Sequence, residues 1–111
     1  MRKFVCSLTY EVHPETAEDS RKLLRAELVG RRWLERVEGK RLPSNALFMV
    51  RSAGDDDTTN DVHEACTGDL RAAAESVRKT GRALTVLRAW IHVSGSGTYG
   101  PAAGDLASPE A

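Results

Sequence analysis

The chain has 111 residues, 29% of them charged and 41% hydrophobic, with sixteen Lys or Arg against sixteen Asp or Glu. That length suits one domain with a single modest core, and a formal charge of zero argues against a protein that coats nucleic acid through bulk charge. No run approaches the roughly 18 consecutive apolar residues of a membrane span, and Met1-Arg2-Lys3 leads into an alternating segment instead of a signal-peptide apolar stretch, so a cytoplasmic location is expected. The charge is unevenly placed. Residues 1–51 hold eleven Lys or Arg against seven Asp or Glu, a surplus of four positive charges, and residues 52–111 hold five against nine, a surplus of four negative. Halves of opposite sign either present two charged surfaces or neutralise each other in the fold; the second is the simpler expectation.

Residues 3–12 alternate, with Phe4, Cys6, Leu8, Tyr10 and Val12 in one row and Val5, Ser7, Thr9 and Glu11 in the other. This period of two predicts a half-buried strand whose first row faces the core. His13-Pro14-Glu15 breaks it. Thr16 with Asp19 resembles a capping box, and Ala17, Ser20, Leu23, Leu24 and Leu28 mark a helix face that Gly30 is expected to stop. A strand is expected near 33–41, with a continued helix as the alternative. Leu42-Pro43-Ser44-Asn45 then reads as the hairpin turn into Ala46–Arg51, an apolar run of the kind found in central strands. Ser52–Asn60 is a polar, acidic loop from which Asp57, Thr58, Thr59 or Asn60 caps a second helix. Val62, Cys66, Leu70, Ala73 and Val77 recur along that helix at helical spacing, Lys79 suits its last turn, and Gly81 ends it. Residues 83–93 form the last strand, with Leu87, Ala89, Ile91 and Val93 in one row and Val86, Arg88, Trp90 and His92 in the other.

The order strand, helix, strand, strand, helix, strand predicts an α+β, ferredoxin-like βαββαβ sandwich: a four-stranded antiparallel sheet with two helices on one face. The domain is expected over 1–94. From 95 to 111 the Gly/Ser/Pro/Ala composition lacks the apolar surface to offset its ordering entropy and predicts a disordered, flexible tail.

If both helices cover one face, the second row of each strand meets solvent or a partner. There Trp90 stands between Arg88 and His92, an amphipathic group of the kind interfaces favour. It suits a dimer seam or a stacked base, or else packs under the C-terminal tail. Ala46-Leu47-Phe48-Met49-Val50-Arg51 lacks the basic residue, glycine and spaced aromatics of an RNA-recognition strand. Arg21, Lys22, Arg25, Arg31, Arg32, Arg36, Lys40 and Arg41 concentrate positive charge on the first helix and hairpin, but Glu18, Asp19, Glu27, Glu35 and Glu38 interleave with them, so a self-paired surface is expected. His63 and Cys66 have a zinc-pair spacing, yet Cys66 falls on the core stripe and no Cys-x-x-Cys exists. Cys6 and Cys66 are therefore expected as buried free thiols. Asp55-Asp56-Asp57 fails the EF-hand pattern, and Gly95-Ser96-Gly97 with Gly100 lacks the Lys and the following helix of a phosphate loop.

In element order, length and a basic first helix, residues 3–93 resemble the Cas2 and VapD group of small ferredoxin-like proteins, which dimerise across their sheets and include metal-dependent nucleases. That resemblance implies a catalytic or metal-binding carboxylate near the end of the first strand. Glu11 stands there in place of the family's aspartate, and it would hold Mg²⁺ through bound waters. The leading expectation is a non-enzymatic, cytoplasmic interaction or ligand-binding module. It associates with itself as a homodimer through the open sheet face, with Arg88, Trp90 and His92 at the contact, Arg31 and Arg32 as further binding residues, and no cofactor. The alternative is a Cas2-like nucleic-acid-processing protein with Glu11 assisting Mg²⁺ and Arg31 and Arg32 on phosphates. Nucleic acid is the less favoured partner, and no membrane partner is expected.

Overall fold

The computed structural model describes residues 2–95. Apart from Gly95, the expected tail over 95–111 lies outside them. Strand β1 (Arg2–Val12) buries the row predicted for it, Phe4, Cys6, Leu8, Tyr10 and Val12. Helix α1 (Glu18–Gly30) starts without the expected capping box: Ala17 occupies the N-cap position, and Thr16 Oγ1 donates to the His13 carbonyl at 2.6 Å instead. Arg21 ties down the same turn through the carbonyls of His13, Pro14 and Thr16.

The end of α1 differs from the expected glycine stop. Arg32 N–H donates to the Val29 carbonyl and Trp33 N–H to that of Leu28, with Arg32 at φ +78°. This is a Schellman motif with arginine in the left-handed position that glycine usually fills. It turns the chain back so that Trp33, 1% exposed, enters the core. Strands β2 (Arg36–Val37) and β3 (Lys40–Arg41) follow as a two-residue hairpin. Glu38 and Gly39 both have positive φ, as a type I′ turn requires. Strand β4 (Ala46–Ala53) leads to helix α2 (Thr59–Lys79), which Thr58 and Asp61 cap reciprocally. Strand β5 (Val86–Ser94) closes the described fold.

The sheet has three strands, not the expected four, in the antiparallel order β4-β1-β5, while β2 and β3 pair only with each other. One trace of a fourth strand survives at Leu34, which exchanges backbone hydrogen bonds with Phe48 at 2.7 and 3.0 Å. The reason is local. Residues 31–33 are consumed by the helix exit, and the Glu38-Gly39 turn folds 36–41 onto itself, so no extended segment is left to run along β4. The strand expected near 33–41 is thus a bridge followed by a separate small hairpin. The architecture is an α+β sandwich, broadly ferredoxin-like in its element order.

Both helices pack on one side of the sheet. Leu24 and Leu28 of α1 and Val62, Cys66, Leu70, Ala73, Ala74 and Val77 of α2 join the β1 row in one core cluster with Trp33, Leu47, Met49 and Leu84. A β-bulge between Glu11 and Val12 alters the last strand: Val12 pairs with Val86 and Glu11 with Arg88, leaving Leu87 unmatched. Val86, expected on the outer row, packs on the core instead, and Leu87 is 45% exposed. No helix among the described residues is long and apolar enough to cross a membrane.

Candidate interaction face

The helix-free side of the sheet is built by strand pleat and register. Successive side chains alternate between faces, so the outer residues of β1 (Lys3, Val5, Ser7, Thr9 and Glu11) align in cross-strand rows with those of β4 and β5. Val5 lies between Val50 and Ser94, Ser7 between Phe48 and His92, and Thr9 between Ala46 and Trp90. Glu11 pairs with Arg88 beyond them. The middle of this face carries no Lys, Arg, Asp or Glu, and it holds Trp90 at 70% and Val50 at 42% exposure, with Leu34 half exposed at its border. Trp33 lies in the core and takes no part in this face.

Sequence reasoning identified Arg88, Trp90 and His92 on this face, and the structure brings them onto adjacent positions of it, all exposed. It missed Phe48 and Val50. Their signal was present: both rows of β4 are apolar, a pattern of strands covered on both sides. Phe48 is buried, as is Val37 of the small hairpin, although neither belongs to the main core cluster.

Glu11 Oε1 lies 2.6 Å from Arg88 Nε, so the candidate metal carboxylate is engaged in an exposed ion pair. No group of three His, Cys, Asp or Glu side chains among the described residues is placed to hold a metal ion. Arg31 and Arg32 lie at the exit of α1, away from the Trp90 group. Arg32 is exposed; Arg31 is half-buried, and its Nε has no acceptor.

The other charged residues sort into two places. Under the helices, Asp69 Oδ2 accepts from Arg51 Nη1 at 2.8 Å and from Trp33 Nε1 at 3.1 Å. Cys6 and Cys66, both fully buried and free, meet beside that group, with Cys66 Sγ 4.0 Å from Arg51 Nη1. The neighbouring Cys66 thiol and burial push the Cys6 thiol well above its ordinary range. Cys66 is thus a core thiol, while His63 on the same helix is exposed. At the other end of the sheet, a cleft of about 670 Å³ lies between α1, the end of β1 and the approach to β4. Arg21, Lys22, Arg25 and Arg41 border it, and Tyr10 lies at its floor. Part of the basic set is self-paired as expected, Glu35 Oε1 lying 3.3 Å from Arg25 Nε and 3.6 Å from Arg41 Nη2. Comparison with family models, curated proteins and solved structures finds no match for this chain.

Proposed function

We propose that this chain is a non-enzymatic, cytoplasmic interaction module that forms a two-fold homodimer by stacking the open faces of two sheets. The observation that carries this reading is Trp90, 70% exposed on the open face of the sheet. A single exposed tryptophan is unremarkable, but one that shares its face with Val5, Val50 and Leu34, none of them buried, makes an apolar surface of the kind interfaces use.

A second copy fits this face for a geometric reason. Trp90, Thr9 and Ala46 share one cross-strand row. A two-fold axis running along β1 carries each Trp90 over the small Ala46 of the other copy, and each Ser94 over Val50. Bulk meets space in the middle of the face, and the charged residues Lys3, Glu11 and Arg88 lie toward its ends. Stacked sheets lie roughly 10 Å apart with their strands nearly aligned, a spacing that interdigitated side chains of this size fill. Closed two-fold contacts are also the simplest self-complementary assembly.

The metal-dependent nucleic-acid role implied by the Cas2 and VapD resemblance is the lesser reading, because Arg88 occupies the Glu11 carboxylate. The dimer reading is tested by iodide quenching of the Trp90 fluorescence, obtained as wild type minus Trp90→Phe. Trp90 is expected to be shielded at high protein concentration and to become quenchable on dilution. Equal quenching at all concentrations overturns the reading.

A further inference from the structure

We infer that the cleft between α1 and the end of β1 is a binding site for the phosphate group of a small molecule. Its foundation is Arg25. That side chain is only 11% exposed, and its fork is fixed from three sides: Nε faces Glu35, and Nη1 donates to the carbonyls of Ser44 at 2.5 Å and Ala46 at 3.4 Å. The remaining nitrogen, Nη2, is shielded from solvent and has no acceptor. Buried guanidinium N–H groups are rarely left unmatched, because each orphaned donor loses its hydration without return. An oxyanion supplies the missing acceptor once neighbouring side chains move aside to admit it, and a guanidinium whose other nitrogens are already fixed loses little further freedom in binding one.

The surroundings suit the same ligand. The Tyr10 hydroxyl lies against Arg25, offering a neutral donor at the cleft floor. Lys22 and Arg41 stand at the rim and both are exposed, Arg41 in a long, solvent-exposed pairing with Glu35. Counting the ion-paired neighbours Arg88 and Glu35, five cations (Arg21, Lys22, Arg25, Arg41, Arg88) face three carboxylates (Glu11, Glu18, Glu35). The net excess is positive even though the chain is neutral overall. A volume of about 670 Å³ exceeds what a bare ion needs and falls within the range of small-molecule sites. The cleft adjoins the proposed dimer face at Glu11 and Arg88, but its reading as a phosphate site does not rest on the dimer.

The test uses inorganic phosphate as the probe, at constant ionic strength set with chloride, with amide chemical shifts followed on the full chain. Saturable shifts are expected in residues 10, 21–25 and 41–46. Lys22→Ala and Arg41→Ala, both at exposed positions, are each expected to weaken phosphate about tenfold, as loss of one charge-assisted contact implies. Tyr10→Phe is expected to weaken it without unfolding the protein, and Lys79→Ala, on the far helix, to leave it unchanged. Malonate is the competing arm. Shifts that fail to saturate, that respond equally to Lys79→Ala, or that saturate more tightly with malonate than with phosphate each overturn the inference.

Discussion

Trp33 Nε1 and Asp69 Oδ2 are 3.1 Å apart, and the same carboxylate oxygen takes a hydrogen bond from Arg51 at 2.8 Å. One acid on α2 therefore fastens the chain leaving α1 and the middle of β4 to a single point under the helices. Burial acts to lower the Arg51 pKa, but the Asp69 hydrogen bond and charge outweigh it and raise it. Asp69→Ala leaves a part-buried guanidinium and an indole N–H without their acceptor. It is expected to destabilise the fold by about 3 kcal/mol, the scale for breaking one side of a shielded pair. A urea unfolding midpoint unchanged from wild type would contradict this role.

Arg32 occupies a left-handed backbone position with its side chain exposed. A residue with a Cβ is strained there, whereas glycine is not. Arg32→Gly is expected to stabilise the protein by about 0.5–1 kcal/mol, with the gain offset in part by glycine's greater freedom in the unfolded chain. A lower melting temperature for this variant would show that the arginine side chain, and not the turn, decides the position.

The thiols behave as core atoms. Cys6→Ala and Cys66→Ala are each expected to cost roughly 1 kcal/mol or more, as mild large-to-small changes in a packed interior do. A thiol reagent should label both slowly in the native protein and rapidly in denaturant. Rapid labelling of either in the native state would place it at an accessible site.

Burial raises the Tyr10 pKa above its ordinary value of 10, with the charge of the neighbouring Arg25 guanidinium opposing part of that rise. The folded state therefore keeps this proton to higher pH than the unfolded chain does. The stability it contributes is complete below the ordinary value and is lost as pH rises from there through the folded-state pKa. Tyr10→Phe should flatten that part of the alkaline decline in melting temperature. An identical decline in both proteins would assign it to other groups, among them Cys6, whose raised pKa acts in the same direction.

Much of the fold was legible because periodicity reports burial directly. The alternation of 3–12 gave β1 with its correct core row, and the stripe from Val62 to Val77 gave α2. The segment 31–45 was not legible, since its course depends on an arginine accepting a glycine conformation and on Glu38-Gly39 forming a tight turn that Asn-Gly or Asp-Gly more often signals. The outer row of the last strand was legible from Arg88 to His92, but the bulge beside Val12 reversed the parity before it and moved Val86 inward. Bulges leave little mark in composition. The Arg25 and Tyr10 cleft was hidden for another reason. Its parts lie apart in sequence, and the interleaved glutamates made the basic set read as a solvated surface.

The central claim is that two copies meet through the Trp90 face. Sedimentation equilibrium at micromolar concentration tests it most directly, with the wild type beside Trp90→Glu. The account predicts a wild-type mass of twice 12.1 kDa and a folded Trp90→Glu monomer of 12.1 kDa. A wild-type monomer at those concentrations, or a dimer that survives the charge placed at position 90, would contradict it.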